Sequence, residues 1–175
     1  IAFYEISLAY IDYVEDQDGD KLINFINQRF DDTSSTAPFY PNLLSLIGLV
    51  YYEMEDHEKA HEMFDDAIVK MNSQTDSDLK TRTLYLSALN LKALDRQEEA
   101  MEVTLQTIED QICNESLFNL GSLYYLKANL LFDKEEYASA LEEYTNAALL
   151  FKIMNYQKVL PEVEEKIKET EALIK

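Results

Sequence analysis

The stretch Pro41–Asn72, PNLLSLIGLVYYEMEDHEKAHEMFDDAIVKMN, decides the fold. Apolar residues recur at helical spacing on both sides of a short polar turn, so it reads as a hairpin of two amphipathic helices. Gly48 on the first helix and Ala60 and Ala67 on the second are small where the helices would touch. Tyr51 and Phe64 supply the bulk between them. The hairpin recurs: Ala60, Ala100 and Ala140 are spaced 40 and 40 residues apart, each followed by a similar helix. A fixed period of this kind is the signature of a stack.

Composition agrees with that reading. The 175 residues are 47% hydrophobic and 28% charged, enough for one domain with a continuous core and too apolar for a disordered chain. Three Gly and three Pro suit long helices and argue against a sandwich with many tight turns. Apolar runs such as Leu46–Tyr52 fall far short of the roughly 20 residues that span a bilayer, so no membrane segment is expected. Fifteen Lys+Arg against 34 Asp+Glu give a net charge of −19, a surface that repels phosphate backbones. Direct nucleic-acid binding by this segment is therefore not expected. Cys113 stands alone, which fits a reducing cytoplasm, and beside Ile108 and Ile112 it is expected to be core filler rather than a nucleophile. The chain opens at Ile1 inside an apparent helix, without Met, and is expected to be a fragment of a longer protein.

From the central hairpin the pattern extends both ways. Upstream, Tyr4, Leu8 and Ile11 share one helical face, EDQDGD interrupts, and Leu22, Phe25, Ile26 and Phe30 resume it, giving a first hairpin over about 1–32. The linker Asp31–Tyr40 is turn-rich, and Pro41 suits the first position of a helix. Downstream come hairpins over about 78–113 and 116–155, within one domain spanning 1–175. Asp95 with Glu98, and Asp133 with Glu136, read as capping boxes for their second helices. Residues 156–175 read as a capping helix, with Val159 or Leu160, Val163, Ile167 and Ile174 on one face and charges on the rest.

The series Leu44–Gly48–Tyr51–Ala60–Phe64–Ala67 resembles the tetratricopeptide repeat signature at every position. Tyr124–Ala128–Leu131–Ala140–Tyr144–Ala147 is a second good match, with Tyr137 added. Leu84–Ala88–Leu91–Ala100–Thr104–Thr107 keeps the small residues and loses the aromatics. Asn72, Ile112 and Lys152 stand where the signature closes with Pro. The resemblance covers about 41–155 and implies an all-α, right-handed superhelical stack of antiparallel hairpins. Its period of 40, its tyrosines and its acidity also resemble the C-terminal sensor domains of peptide-pheromone-responsive transcription regulators of Gram-positive bacteria. In that family a helix-turn-helix module precedes the repeats, and inward-facing Asn side chains hold a peptide backbone.

Three patterns suggest chemistry and are outweighed. His57–Glu58–Lys59–Ala60–His61 fits H-E-x-x-H, yet Ala60 is already a packing residue and no third ligand is marked. Asp16, Asp18 and Asp20 alternate as calcium ligands do, but Asn27 stands where the bidentate Glu belongs. Glu98–Glu99 and Glu135–Glu136 read as solvated charge. No catalytic residues, metal or cofactor are assigned.

The expected site is the concave face formed by first helices: Asn42, Ser45 and Tyr52; Arg82, Tyr85 and Lys92; Tyr125 and Asn129, with Glu5 and Asp12 upstream. Tyrosine offers a rigid apolar face with a hydroxyl, asparagine pairs with peptide groups, and the two cations suit a carboxylate. The Lys and Asn pair of chaperone-tail-binding repeats is not reproduced, since Tyr125 stands four before Asn129. The expected function is binding of a peptide or protein segment by the sensing and oligomerisation part of a cytoplasmic regulator, with a homodimer left open. The alternative is a scaffold that only joins subunits.

Overall fold

The computed structural model describes residues 2–29, 37–72 and 75–174. Among them are nine α-helices and no strand: α1 (Ala2–Asp16), α2 (Gly19–Arg29), α3 (Tyr40–Glu53), α4 (His57–Lys70), α5 (Ser77–Ala93), α6 (Gln97–Cys113), α7 (Leu120–Asp133), α8 (Tyr137–Ile153) and α9 (Leu160–Leu173). They fall into two compact units, Ile1–Leu79 and Lys80–Lys175.

In the first unit α3 and α4 form the tightest pair. Gly48 lets α4 approach: a Cβ there would lie 2.7 Å from the Phe64 ring. Phe64, Ala60 and Ala67 are fully buried. The core continues to α1 and α2 through Tyr13, Leu22, Ile23, Ile26, Leu43, Ile47 and Val50. On α1 the inward face differs from the expected one. Ile11 is 53% exposed, while Tyr13 is buried and its hydroxyl donates to Glu53 Oε2 at 2.6 Å. The side chains of Tyr4, Glu5 and Leu8, and all of Phe30–Thr36, lie outside the described residues. EDQDGD is a tight turn rather than a calcium loop: Asp16 pairs with Lys21 at 2.7 Å, and Asp18 Oδ1 accepts from the Lys21 amide.

In the second unit Ala88 and Ala100, then Ala128, Ala140 and Ala147, occupy the corresponding contacts, all fully buried. Tyr144 fills the space that Phe64 fills in the first unit. Val163 of α9 is fully buried against Ala147, Ala148 and Phe151, so α9 covers the apolar side of α8. The helix begins at Leu160, later than expected; Tyr156 precedes it and Ile174 follows it, both exposed.

The turns inside the hairpins share one backbone. Met54, Glu55 and Asp56 donate to Val50, Tyr52 and Tyr51 carbonyls; Leu94 to Arg96 and Lys134 to Glu136 repeat those bonds 40 and 80 residues on. This is the Schellman closure, and it places Glu55, Asp95 and Glu135 in the left-handed region at φ of 61°, 60° and 62°. The same closure ends α6 and α8, with Glu115 and Asn155 left-handed. This geometry overturns the expected capping boxes. Asp95 is consumed by the turn and Asp133 ends α7, so the N-caps of α6 and α8 are Arg96 and Glu136, neither making a side-chain cap. A side-chain cap is made in α4, where Asp56 Oδ1 accepts from the Lys59 amide. Cys113 is the last residue of α6 and is exposed, because two residues past the buried Gln111 its phase points away from the packed face; it is not core filler.

Candidate functional site

Five of the eight expected groove residues lie in the second unit, on α5 and α7. Tyr125 and Asn129 are one helical turn apart, and each is hydrogen-bonded to a different helix. The Tyr144 hydroxyl donates to Asn129 Oδ1 at 2.7 Å, and the Tyr125 hydroxyl donates to Glu162 Oε1 of α9 at 2.7 Å. Burial first, then the Glu162 carboxylate, push the Tyr125 hydroxyl above the usual phenol range. Tyr144 is pushed up by burial and then by the charges of Asp133 and Glu169. An Asn amide nitrogen has two N–H donors and its oxygen two lone pairs, so Asn129 retains capacity for one peptide group while held in place.

On α5, Arg82 is exposed, whereas the ring of Tyr85 is half-buried against Ile108 and Leu123. Lys92 pairs with Asp133 at the end of α7, Nζ to Oδ2 at 2.6 Å. Its charge is partly neutralised, which leaves Arg82 as the more available of the two expected cations.

The first unit holds the other three on α3. Asn42 is half-buried, and Tyr52 is half-buried with its ring 5.4 Å from the His57 ring. Ser45 is only 4% exposed and so lies inside the unit rather than on a binding surface. Asp12 of α1 is exposed. Sequence reasoning missed a cavity of about 280 Å³ in this unit, between α2, α3 and α4. Ile26, Leu44, Ile47 and Met63 line it, with Asn27 and Asp66 as its polar members. The sequence marks Leu44 as a repeat position and Ile26 as part of a helical face, and no periodicity signals a gap between helices.

The histidine pair has a structural explanation. His57 opens α4 and sits against Tyr52, and His61 Nδ1 lies 3.5 Å from Asp65 one turn on. No group of three or more His, Cys, Asp or Glu among the described residues is arranged to hold a metal. No helix among them is long and apolar enough to cross a membrane.

The model of the RNPP family C-terminal domain matches residues 4–169. Curated proteins contain no sequence match. Solved structures share the fold. PlcR of Bacillus thuringiensis, solved in complex with the peptide PapR7 and DNA, superposes with a TM-score of 0.78 at 21% identity, covering 90% of this chain and 59% of PlcR. The apo form of RapI gives 0.79 at 14% identity, covering 98% and 64%. Aspartyl phosphate phosphatase F from Bacillus subtilis gives 0.70 at 16%, covering 96% and 43%. The chain therefore spans less than two thirds of each of these proteins.

Proposed function

Because this chain belongs to the RNPP family through its C-terminal domain, we propose that it is the peptide-sensing part of a cytoplasmic transcription regulator. DNA binding is assigned to another module of that regulator, and catalysis to none of the residues described. The family match across 4–169 carries this reading, supported by Tyr125 and Asn129 on α7, each held by a bond to another helix. Arg82 and Tyr85 on α5 complete the recognition residues of the second unit, and Asn42 and Tyr52 serve the first. Asn129 pairs with a peptide group, Tyr85 and Tyr125 supply rigid contact area, and Arg82 takes a carboxylate. Lys92 contributes only when it exchanges Asp133 for ligand.

Signalling follows from differential affinity. A peptide that binds one arrangement of the helices better shifts the population toward it, by no more than that difference in binding free energy. A random octapeptide library displayed on beads, screened against the chain, tests the reading. Retained peptides should bind Arg82→Ala and Tyr85→Ala variants about 1–2 kcal/mol more weakly. Equal retention by wild type and both variants would remove the groove assignment.

One observation favours a scaffold as second reading. Leu149 and Ile153, one turn apart on α8, are 58% and 63% exposed. Deleting 156–175 is a poor test because it uncovers Phe151 and Ala147, which α9 buries. Leu149→Ser with Ile153→Ser is cleaner. Loss of a dimer by light scattering, with helicity intact, supports assembly through α8.

A further inference from the structure

The cavity between α2, α3 and α4 has its own face of α3. Tyr40, Leu44, Ile47 and Tyr51 line it at helical spacing, while Asn42 and Tyr52 lie off that face. The cavity is therefore separate from the expected groove. Met63 and Asp66, one turn apart, are its lining residues on α4, and Asn27 is the polar one on α2. Ile26, Leu44 and Ile47 are buried, whereas Asn27 and Asp66 are exposed. An apolar interior with a few polar groups at its mouth is the usual make-up of a small-molecule site.

The repeat itself indicates what such a place accepts. Eighty residues on, Ile47, Met63 and Asp66 correspond to Lys127, Glu143 and Asn146. There the half-buried Lys127 ammonium pairs with Glu143 Oε1, and Asn146 Nδ2 donates to Glu143 Oε2 at 3.1 Å. An alkyl stem ending in an ammonium thus bridges α7 to α8, met by a carboxylate that an amide holds. In the α3/α4 hairpin a carboxylate, Asp66, and an amide, Asn27, are kept, but Ile47 brings no ammonium. Two other ammonium groups stand close by. Lys59 lies over the Tyr51 ring and is paired with Asp56 at 2.6 Å; Lys70 lies over the Tyr40 ring, 5.8 Å from its centroid. Neither lines the cavity, so Asp66 is the charged member of its lining.

We propose that this cavity binds a free primary alkylamine, its stem against Ile26, Leu44, Ile47 and Met63 and its ammonium on the Asp66 carboxylate. At the packing of a cavity of about 150 Å³ that holds benzene, this cavity of about 280 Å³ holds about eleven non-hydrogen atoms. A lysyl side chain has about half that number, so a lysine of another protein fills the space poorly. An anion meets no cation in the lining, and a neutral chain leaves Asp66 unused.

Carbon-13 NMR of the methionine methyls, on the whole chain, tests the site through Met63, assigned with Met63→Leu. At neutral pH n-octylamine should shift the Met63 methyl saturably, with 1-octanol binding about threefold more weakly, the scale of an exposed ion pair. Octanoate should leave it unmoved over the same range. Asp66→Asn, at an exposed position, should bring octylamine down about threefold to the level of 1-octanol. Ile47→Lys puts a lysyl stem where Lys127 has one and should remove the octylamine response; if that variant fails to fold, Asp66→Asn still decides. A Met63 methyl indifferent to octylamine, octanoate binding as tightly as the amine, or an unchanged preference in Asp66→Asn overturns the proposal. Displacement of octylamine by Nα-acetyl-lysine methylamide at equal strength overturns the free-amine assignment. No peptide enters these titrations, so their failure leaves the groove reading standing, and failure of the bead screen leaves this one standing.

Discussion

The Tyr144 hydroxyl donates to Asn129 Oδ1 across 2.7 Å, joining α8 to α7 at a fully buried ring. Asn129→Ala therefore leaves the hydroxyl unpaired and should cost about 1–3 kcal/mol of stability, against about 1 kcal/mol for Tyr144→Phe. Urea denaturation of the singles and the double should show the double costing less than their sum, since both break one bond. Additive costs would mean the bond contributes nothing.

Gly48 faces the Phe64 ring, and a methyl there would lie 2.7 Å from it. Gly48→Ala gains about 1 kcal/mol of helix propensity and loses about 1–3 kcal/mol to overpacking, so the net effect should be destabilising. Phe64→Leu should recover part of that loss in the Gly48→Ala background while destabilising the wild type. A thermal melt separates the two signs.

Glu55, Asp95 and Glu135 occupy left-handed backbone that side chains resist. Replacing each with Gly should raise stability by about 0.5–1 kcal/mol after its entropic cost in the unfolded chain. A lower midpoint in urea for all three would mean these carboxylates hold something more valuable than the turn.

Asp56 has its carboxyl below the usual aspartate range, chiefly through the Lys59 ammonium and then the Lys59 amide. A depressed value favours the folded state above the ordinary aspartate pKa, and that contribution disappears as pH falls through the folded one. Asp56→Asn keeps the cap acceptor and loses the charge. Its stability should track wild type in acid and fall below it at neutral pH. Parallel curves across the range would rule the charge out as the cause.

Tyr13, Tyr125 and Tyr144 have raised values, burial being the largest cause for each. Their contribution is complete below the ordinary phenol pKa and lost as pH climbs through the folded values. In a spectrophotometric titration these three of the 12 tyrosines should ionise only together with alkaline unfolding. Full ionisation of all 12 with helicity intact would contradict their burial.

Small residues at a 40-residue spacing were enough to locate the hairpins, because close helix approach tolerates few side chains and so leaves a mark on the sequence. Gly48 against Phe64 is that mark made physical. The turns left none. Glu, Asp and Glu at the left-handed positions look like solvated acids, and Asp95 with Glu98 fits a capping box as well as it fits a turn. The Tyr125–Glu162 bond joins residues 37 apart on different helices, and no local pattern encodes it. Ser45 illustrates the limit of helical phase: counted onto the groove face, it falls inside the unit. The lost aromatics of the third copy were legible at once, although only the buried threonines beside them show what replaced that bulk.

The recurring left-handed turns are interchangeable joints. A recombination that fuses residue 55 to residue 96 removes one repeat and regenerates the same three backbone bonds at the seam, whereas an offset of one or two residues breaks them. A gene of this kind can lengthen or shorten its product in whole repeats without inventing a new loop, and the repertoire of surfaces open to it is therefore counted in steps of 40 residues.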